Sequence, residues 1–288
     1  MTTVQAGTDV QRAADAARAG PPRALVTGAT SGLGREYVRQ LAAKGYRVAF
    51  TGRRADKLAE TTALVAAATP GAELLPLEGS VTDPAQVRAH YAAIVAKWGG
   101  LDLAILNAGI GDTIHADDFV AEHVVWIYET NVFGVAHWIE AVLPDMRRRG
   151  SGTIAAMSSL AGVRGLPTSA GYSSSKAALT TLLESLRVDL RASGVKIVTV
   201  APGYIESEIT ARNDPSQMFF LLTTEDGVRR MLKGILAGRR LVSPPWQLSW
   251  LCRFVLAPMP IWLYDRLASK IKRKKKKYVD ASAPPAAS

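Results

Sequence analysis

Cysteine is almost missing from the sequence, since Cys252 is the single thiol in 288 residues. One cysteine cannot form an intramolecular disulfide, so the chain must be held together by its core, and this usage suits a reducing compartment. Acidic residues are also scarce beside basic ones, 25 against 35, which gives a formal net charge of +10. An excess of positive charge suits an anionic partner such as nucleic acid, a membrane surface or a cofactor.

Long hydrophobic runs are missing as well. No stretch reaches about 18 uninterrupted apolar residues, so we expect no membrane-spanning helix. The N-terminus lacks the basic start and apolar core of a secretory signal, which predicts a cytoplasmic protein with a flexible extension over residues 1–20. The histidines show no metal-ligand spacing either, so we expect no metal. These are His90, His115, His123 and His137.

Short apolar runs alternate with helix-like segments from residue 21 onward. RALVTG, YRVAFTG and LDLAILNAG are three such runs, and each is followed by a stretch with helical spacing. Near-continuous apolar strands between helices are typical of a parallel sheet that is covered on both faces and wound by right-handed crossovers. We therefore predict a doubly wound, Rossmann-like α/β domain of about seven strands over residues 21–245, with one long helix over 123–149.

A glycine-rich segment, TGATSGLG at residues 27–34, ends the first apolar run and opens the next helix. Gly28 permits a tight turn, Gly32 lets the backbone approach a pyrophosphate, and Gly34 lets the helix pack close to the strand. The pyrophosphate then meets the free N–H groups of the helix N-terminus. This loop predicts a dinucleotide site. Its candidate cofactor residues are Gly28, Thr30, Ser31, Gly32, Leu33 and Gly34.

Tyr172 and Lys176 lie four residues apart at the start of a predicted helix, so their side chains share one face. Ketone reduction needs an acid that protonates the developing alkoxide, and a free phenol with a pKa of about 10 is a poor acid near neutral pH. A nearby ammonium favours phenolate, so we expect Lys176 to lower the pKa of Tyr172. The pair is predicted to transfer the proton in a nicotinamide-dependent oxidoreductase.

The glycine loop and the Tyr-x-x-x-Lys pair resemble the short-chain dehydrogenase/reductase family, in its short TGxxxGxG branch, over residues 23–243. The resemblance implies that Ser159 polarises the substrate carbonyl, with Ser158 the weaker candidate. It also implies that Asn131 holds a water that relays protons to Lys176, and that Lys176 binds the nicotinamide ribose. The implied reaction is hydride transfer between NADPH and a ketone or secondary alcohol, in a homodimer or homotetramer paired through two long helices.

The end of the second strand bears on the choice of cofactor. Arg53 and Arg54 stand there, where a carboxylate would hold the adenosine ribose of NAD. An arginine fork matches a 2′-phosphate, and Ser31 adds a hydroxyl donor. NADP(H) is therefore favoured, with NAD(H) as the alternative. Where the family carries an aspartate beside the adenine, this chain has Ser80, followed by Val81 with its backbone available for the same base.

Two further segments are assigned by the resemblance. Asn107 opens an NAG triplet after the fourth strand, which is similar to the family's NNAG segment and stabilises the sheet beside the cofactor. PGYIES at 202–207 resembles the PGxVxT turn, in which the backbone at Ile205 meets the nicotinamide carboxamide and Ser207 replaces threonine. The candidate contacts are Asn107, Ala108, Gly109, Pro202, Gly203, Ile205 and Ser207.

Residues 246–288 form a predicted appendage, in which an aromatic stretch precedes seven basic residues in eight at 270–277. In one interpretation the aromatic stretch covers the substrate cleft or a dimer contact. In the other, residues 246–277 bind an anionic membrane surface, because tryptophan favours the interfacial zone and lysine favours anionic headgroups. Nucleic-acid binding is not expected, since no recognition motif accompanies the charge.

The substrate is predicted from the apolar loop Met218–Leu222 and the flanks 111–112 and 166–167, which suggest an apolar, lipid-like ketone or alcohol. Ordinary packing explains the same residues equally well. A different function for this fold is a non-catalytic cofactor-binding scaffold or sensor. Loss of a catalytic residue would indicate it, and the Asn–Ser–Tyr–Lys set is complete.

Overall fold

The computed structural model describes residues 20–111, 114–212 and 218–270. The predicted N-terminal extension up to residue 19, most of the basic run and the tail after it lie outside the described residues. So do Asp112 and the segment 213–217 next to the apolar loop.

Parallel strands form a single sheet in the described residues. They are β1 (Arg23–Val26), β2 (Arg47–Gly52), β3 (Leu74–Glu78), β4 (Leu103–Leu106), β5 (Gly152–Met157), β6 (Val195–Val200) and β7 (Leu241–Val242). Their order is β3-β2-β1-β4-β5-β6-β7, and each neighbouring pair is parallel. The predicted doubly wound sheet is confirmed.

Helices connect the strands and cover the sheet. They are α1 (Gly32–Ala43), α2 (Ala55–Ala68), α3 (Pro84–Trp98), α4 (Ala121–Tyr128), α5 (Gly134–Arg149), α6 (Ala170–Asp189), α7 (Thr224–Leu236), α8 (Trp246–Trp250) and α9 (Ile261–Ala268). On one face α1, α2 and α7 share a core with the sheet, and on the other α3, α5 and α6 do.

The central strand shows why its sequence is apolar throughout. In β1, Ala24 and Val26 point into one core and Leu25 into the other, and all three are completely buried. Successive side chains of a strand point to opposite faces, so a strand covered on both sides needs apolar residues at every position. Burial of each large aliphatic side chain of this kind contributes about 1.5–3 kcal/mol to stability.

The long helix predicted over 123–149 is interrupted. The structure has α4, then a π-helical turn at Glu129–Phe133, and then α5. A π turn adds one residue to a helical turn, which rotates the helix beyond it, and such turns occur frequently at functional sites. Asn131 lies in this turn and is fully buried. The predicted long helix is therefore present from Ala121 to Arg149, and the π turn within it falls at a predicted catalytic residue.

The appendage docks against the loops that follow β5 and β6. Leu248 of α8 is buried, and a Cβ on Gly203 would lie 2.6 Å from its Cδ2. A second π turn, Leu251–Leu256, leads towards α9. The phenol of Tyr264 in α9 donates to the Gly165 carbonyl at 2.6 Å. Among the described residues we find no helix with the length and apolarity needed to cross a membrane.

Candidate active site

The glycine loop lies where the strand order reverses, between β1 and β4, which is where doubly wound sheets form their crevice. Gly28 has a φ of +67°, and a Cβ there would lie 2.8 Å from the Cα of Ala108. A Cβ on Gly34 would collide with the Gly28 carbonyl. Both positions therefore need glycine because the helix, the turn and β4 meet without room for a side chain.

Gly32 differs from the other two glycines because the space beside it is open. Its φ is +47°, and a Cβ there would meet only the Cβ of Ser207, 3.9 Å away. Ser31, the N-cap of α1, makes no side-chain cap bond. Backbone N–H groups at a helix N-terminus with open space before them fit a pyrophosphate. The residues present thus fit a dinucleotide between the glycine loop and the turn that carries Ser207.

The NAG triplet fixes the glycine turn from the side. Asn107 Nδ2 donates to the carbonyls of Thr27 and Gly28, at 3.0 and 3.2 Å. The backbone N–H of Ala108 donates to Thr27 Oγ1 at 3.0 Å. Paired in this way, the buried polar groups at the end of β1 are satisfied, and the turn is held rigid.

Ser159 and Tyr172 are brought together in the structure. The Ser159 side chain lies close enough to the phenol to lower the pKa of Tyr172 by hydrogen bonding, and Ser159 Oγ accepts the N–H of Ala161 at 3.1 Å. Ser158 points elsewhere, since its hydroxyl donates to the Lys176 carbonyl at 2.9 Å inside the protein. Of the two serines, Ser159 is the one whose hydroxyl lies beside the phenol.

Asn131 and Lys176 meet beside Gly109. A Cβ on this glycine would lie 3.2 Å from Asn131 Oδ1 and 3.3 Å from Lys176 Nζ. The amide of Asn131 accepts the N–H of Ile110 at 2.8 Å and donates to the Ile110 carbonyl at 2.9 Å. Its Nδ2 also lies 3.1 Å from the Ser175 hydroxyl. The π turn thus points this amide at the loop after β4.

Burial controls the ionisation of the Tyr–Lys pair. It raises the pKa of Tyr172, and the hydrogen bond from Ser159 acts in the opposite direction. Burial also lowers the pKa of Lys176 to about 8. The expected lowering of the tyrosine pKa by Lys176 is therefore not found. The ammonium donates to the Met157 carbonyl at 2.6 Å and lies 5.6 Å from the Tyr172 ring centroid, so desolvation outweighs its charge.

The end of β2 carries the residues predicted to choose the cofactor. Arg53 and Arg54 are both exposed, and Arg54 Nη2 donates to Thr30 Oγ1 at 3.2 Å. Three polar groups therefore lie near the end of β2. They are the Arg54 guanidinium, the Thr30 hydroxyl and the Ser31 hydroxyl, which makes no capping bond. Sequence reasoning missed Arg35, which donates to the Thr30 carbonyl at 2.9 Å and so supports the loop. Its position in the first turn of α1 was the available signal.

The turn predicted to lie beside the adenine is held by hydrogen bonds between its own residues. The Ser80 hydroxyl is 2.8 Å from Thr82 Oγ1 and accepts the N–H of Thr82 at 3.2 Å, so it already has partners. Val81 is buried, and its carbonyl lies 3.1 Å from His137 Nδ1. The serine thus orders its own turn, which places the start of α3.

The PGYIES turn is braced by a threonine that sequence reasoning missed. Thr210 Oγ1 donates to the Ile205 carbonyl at 2.6 Å and accepts the N–H of Ser207 at 2.8 Å. The Pro202 carbonyl accepts the N–H of Leu160 at 3.0 Å, which connects this turn to the loop after Ser159. The Ser-x-x-Thr spacing could have indicated the brace.

A cavity of about 240 Å³ lies beside Ser159. The appendage supplies part of its wall. Its lining residues are Ser159, Gly162, Val163, Thr180, Arg253 and Ala257. Arg253 Nε is buried and has no hydrogen-bond partner among the described residues. Nearer the phenol, a Cβ on Gly111 would lie 3.2 Å from Ile209 Cγ2 and 3.4 Å from Tyr172 Cδ2.

Comparisons with known proteins agree with this geometry. A family model described as short chain dehydrogenase matches residues 22–217. An uncharacterized oxidoreductase of Myxococcus xanthus is 44% identical over 249 residues, 86% of this chain and 97% of that protein. The crystal structure of levodione reductase has a TM-score of 0.73 at 26% identity, over 80% of this chain and 98% of that one.

A further likeness concerns the fold alone. A short chain dehydrogenase/reductase from Burkholderia phymatum, solved in complex with NAD, has a TM-score of 0.75 at 22% identity. The match covers 91% of this chain and 99% of that one.

Proposed function

The chain belongs to the short chain dehydrogenase family and is an oxidoreductase, and from that premise we propose that it transfers hydride between NADP(H) and a ketone or secondary alcohol. The observation that carries the proposal is the closeness of the Ser159 side chain to the Tyr172 phenol, with Lys176 four residues further along α6. Two hydroxyl groups that face each other can both donate to one carbonyl oxygen placed between them.

Each side chain has a separate task in reduction. NADPH, when bound, supplies the hydride. Ser159 donates a hydrogen bond to the carbonyl oxygen and stabilises the negative charge that develops there. Tyr172 donates its proton to that oxygen as the alkoxide forms. In the oxidation direction Tyr172 accepts the proton from the alcohol, and Ser159 again holds the oxygen.

In this proposal Lys176 returns a proton to Tyr172 after each reduction. The pKa of Lys176 is about 8, so near neutral pH the group can both hold and release a proton. Asn131 lies beside it at Gly109 and is tied to the Ile110 backbone. We assign Asn131 the positioning of a water next to Lys176, and we assign Lys176 the nicotinamide ribose hydroxyls as well.

The preference for NADP(H) over NAD(H) rests on charge. Arg53 and Arg54 end β2 without a carboxylate, and the Ser31 hydroxyl is free of a capping bond. A carboxylate would accept from a ribose hydroxyl but would repel a phosphate, whereas guanidinium groups bind it with charge-assisted hydrogen bonds. The bond from Arg54 Nη2 to Thr30 Oγ1 keeps one guanidinium beside the glycine loop, which supports this preference.

We assign the substrate to the apolar carbonyl compounds, lipid-like in character. Gly111 and Ile209 flank the Tyr172 ring with apolar surface. Phe219 and Phe220, in the apolar loop Met218–Leu222, are 67% and 53% exposed. Apolar surface beside the Tyr172 phenol suits a ketone that carries hydrocarbon next to its carbonyl.

The assembly and the compartment are also part of the proposal. We expect a homodimer or homotetramer, because the long helices α5 and α6 lie on one face of the sheet and Val188 near the end of α6 is 63% exposed. The cytoplasm is the expected compartment, since the single cysteine fits a reducing environment.

Turnover of a panel of apolar and polar ketones with NADPH and with NADH tests this function. We expect faster turnover of the apolar ketones with NADPH. Tyr172→Phe should lose about a hundredfold or more of kcat/KM, because the general acid is removed. Tyr128→Phe, a tyrosine of α4 outside the site, is the matched control and should turn over like the unmodified protein.

The scaffold or sensor alternative predicts a different result. In that case NADPH would bind, as measured by its fluorescence, without turnover of any ketone or alcohol in the panel. Equal turnover by the unmodified protein and by Tyr172→Phe would refute the assigned mechanism.

A further inference from the structure

The appendage presents apolar side chains to solvent on one side of a helix. Trp246, Trp250 and Phe254 are spaced four residues apart along α8 and the second π turn, and they are 71%, 55% and 66% exposed. Leu248, on another side of the helix, is buried against Gly203. A helix that is apolar on its inner and outer sides normally lies buried, so its outer side is expected to meet an apolar environment.

Helix α9 follows with two more exposed apolar side chains. Ile261 and Trp262 are 73% and 69% exposed. Three of the chain's six tryptophans are therefore exposed within seventeen residues. We refer to Trp246, Trp250, Phe254, Ile261 and Trp262 as the aromatic surface. Tryptophan in a core would be buried, whereas its amphipathic ring favours a boundary between apolar and polar environments.

Positive charge follows the aromatic surface directly. Residues 270–277 contain seven lysines and arginines in eight positions and no acid. The formal net charge of the chain is +10, so the rest of the chain carries +3 when these seven are set aside. Helix α9 ends at Ala268, which places the first of these lysines two residues beyond the end of that helix.

We propose that the aromatic surface and the basic run bind the surface of an anionic lipid bilayer. The aromatic side chains enter the headgroup region, and the lysines and arginines meet the lipid phosphates. An apolar anchor and a basic run are two signals that together give stable binding where either alone gives weak binding. No described helix is suited to crossing the membrane, so the appendage lies along its surface.

Charge argues for a bilayer over a second copy of the chain. A twofold dimer buries the same patch of both subunits, so it would bring two runs of seven positive charges towards each other. Like charges in proximity repel, whereas the anionic leaflet attracts each of them. The aromatic surface and the basic run thus match a bilayer together, and a self-complementary dimer only in part.

The position of the appendage connects the bilayer to the cavity beside Ser159. Arg164 Nη1 donates to the carbonyls of Leu256, Ala257 and Met259, at 3.1, 3.1 and 2.9 Å. The loop that follows Ser159 is therefore fastened to the segment that meets the lipid. A bilayer at the aromatic surface would place an apolar source of substrate beside the cavity. Lipid binding itself does not depend on the proposed reaction, because it is measured without turnover.

Flotation of the full-length protein with lipid vesicles tests the inference. The vesicles are phosphatidylcholine with and without about a third of phosphatidylserine, at roughly physiological salt. The unmodified protein should float with the anionic vesicles and stay behind with the neutral ones. Trp250→Gln together with Phe254→Gln should lower the partition coefficient about tenfold or more, which corresponds to about 1.4 kcal/mol.

Matched variants separate the two signals from general effects. Glutamine in place of the lysines at 274–277 should weaken flotation as strongly, whereas arginine at the same four positions should preserve it. Leu64→Gln with Val95→Gln replaces two apolar side chains that are 51% and 39% exposed on other helices, and it should leave flotation unchanged.

Two results would overturn the inference. One is an unmodified protein that does not float with anionic vesicles even at low salt. The other is a dimer that the Trp250→Gln and Phe254→Gln substitutions convert to monomer in sedimentation velocity while flotation stays the same, since the aromatic surface would then be a contact between copies of the chain.

Discussion

Lys176 donates a hydrogen bond from Nζ to the main-chain carbonyl of Met157, 2.6 Å away at the end of β5. The bond ties the helix that carries Tyr172 to the strand that leads to Ser159. It therefore fixes three of the proposed catalytic side chains relative to one another. It also keeps the ammonium buried, and burial lowers its pKa to about 8, within the range where proton exchange is effective.

Reduction of a ketone should slow as the pH rises through about 8, where Lys176 loses its proton. Below that pH the lysine can return a proton towards Tyr172, and above it the amine is neutral. We expect kcat/KM to fall about tenfold per pH unit above the pKa. In Lys176→Arg the guanidinium stays charged, so the fall should move out of the measurable range. The same profile in both proteins would assign the fall to another group.

Lys176 should also make stability depend on pH. Its pKa is lowered from the ordinary value of 10.5 to about 8, so between these values the unfolded chain binds more protons and the free energy of unfolding rises with pH. Below pH 8 Lys176 is protonated in both the folded and the unfolded chain. Burial of its charge then lowers the free energy of unfolding by the full amount, about 3 kcal/mol. The difference in free energy of unfolding between the unmodified protein and Lys176→Met should therefore change by about that amount over this interval. Urea unfolding at both ends measures it, and a constant difference would contradict the burial argument.

Much of the fold follows from local pattern. The strands were predicted because a parallel sheet covered on both faces requires apolar residues at every position, as in Ala24, Leu25 and Val26. The glycine turn is recognisable because two of its requirements are local: Gly28 has a positive φ, and a side chain on Gly34 would collide with the Gly28 carbonyl. Tyr172 and Lys176 were paired because four residues make one turn of a helix.

Other features could not be read from local pattern. The π turn at Glu129–Phe133 adds one residue to a helix and leaves its apolar character unchanged, so the sequence period hardly records it. The sequence does not indicate that Arg164 holds the appendage, because its carbonyl partners lie more than ninety residues away in the chain. The pKa of Tyr172 is raised because the folded protein buries the phenol. The four-residue spacing from Lys176 does not indicate that burial.

Gly109→Ala should reduce activity because the new Cβ would lie 3.2 Å from Asn131 Oδ1 and 3.3 Å from Lys176 Nζ. One of these polar groups would have to move by a few tenths of an ångström. Since a displacement of about 1 Å can cost about a hundredfold in rate, we expect kcat to fall about severalfold. The KM for NADPH should rise as well, because Lys176 is also assigned to the nicotinamide ribose. Gly165→Ala is the matched control, since a Cβ there has no neighbour within 4 Å among the described residues. Equal kcat in the two variants would show that this contact is unimportant.

Arg54→Ala should raise the KM for NADPH about ten- to a hundredfold and leave the KM for NADH nearly unchanged, because a charge-assisted bond to a phosphate contributes about 1.5–3 kcal/mol. Arg191→Ala removes an equally exposed arginine just beyond α6 and should affect neither value. Initial-rate kinetics with both cofactors measure the change. If the two KM values rise by the same factor in Arg54→Ala, the side chain does not select the 2′-phosphate.

Arg164→Met should loosen the appendage. The substitution removes a donor to three carbonyls at and after the end of the second π turn, and a guanidinium stacked 4.1 Å from the centroid of the Tyr264 ring. Trypsin should then cleave after Arg253 and Arg266 about tenfold faster, because local opening exposes the segment more often. The KM for the carbonyl substrate should rise, since the appendage supplies part of the cavity wall, while the KM for NADPH stays the same.

Arg230→Met is the matched control for Arg164→Met. It also removes a bonded arginine, but one whose partner is Asp226 on α7, away from the appendage. Surface ion pairs of this kind contribute about 0–1 kcal/mol, so neither trypsin cleavage after Arg253 nor the KM for the carbonyl should change. If the two variants are cleaved at the same rate, Arg164 does not hold the appendage in place. If cleavage accelerates in Arg164→Met while the KM for the carbonyl stays constant, the appendage is attached there but does not shape the substrate site.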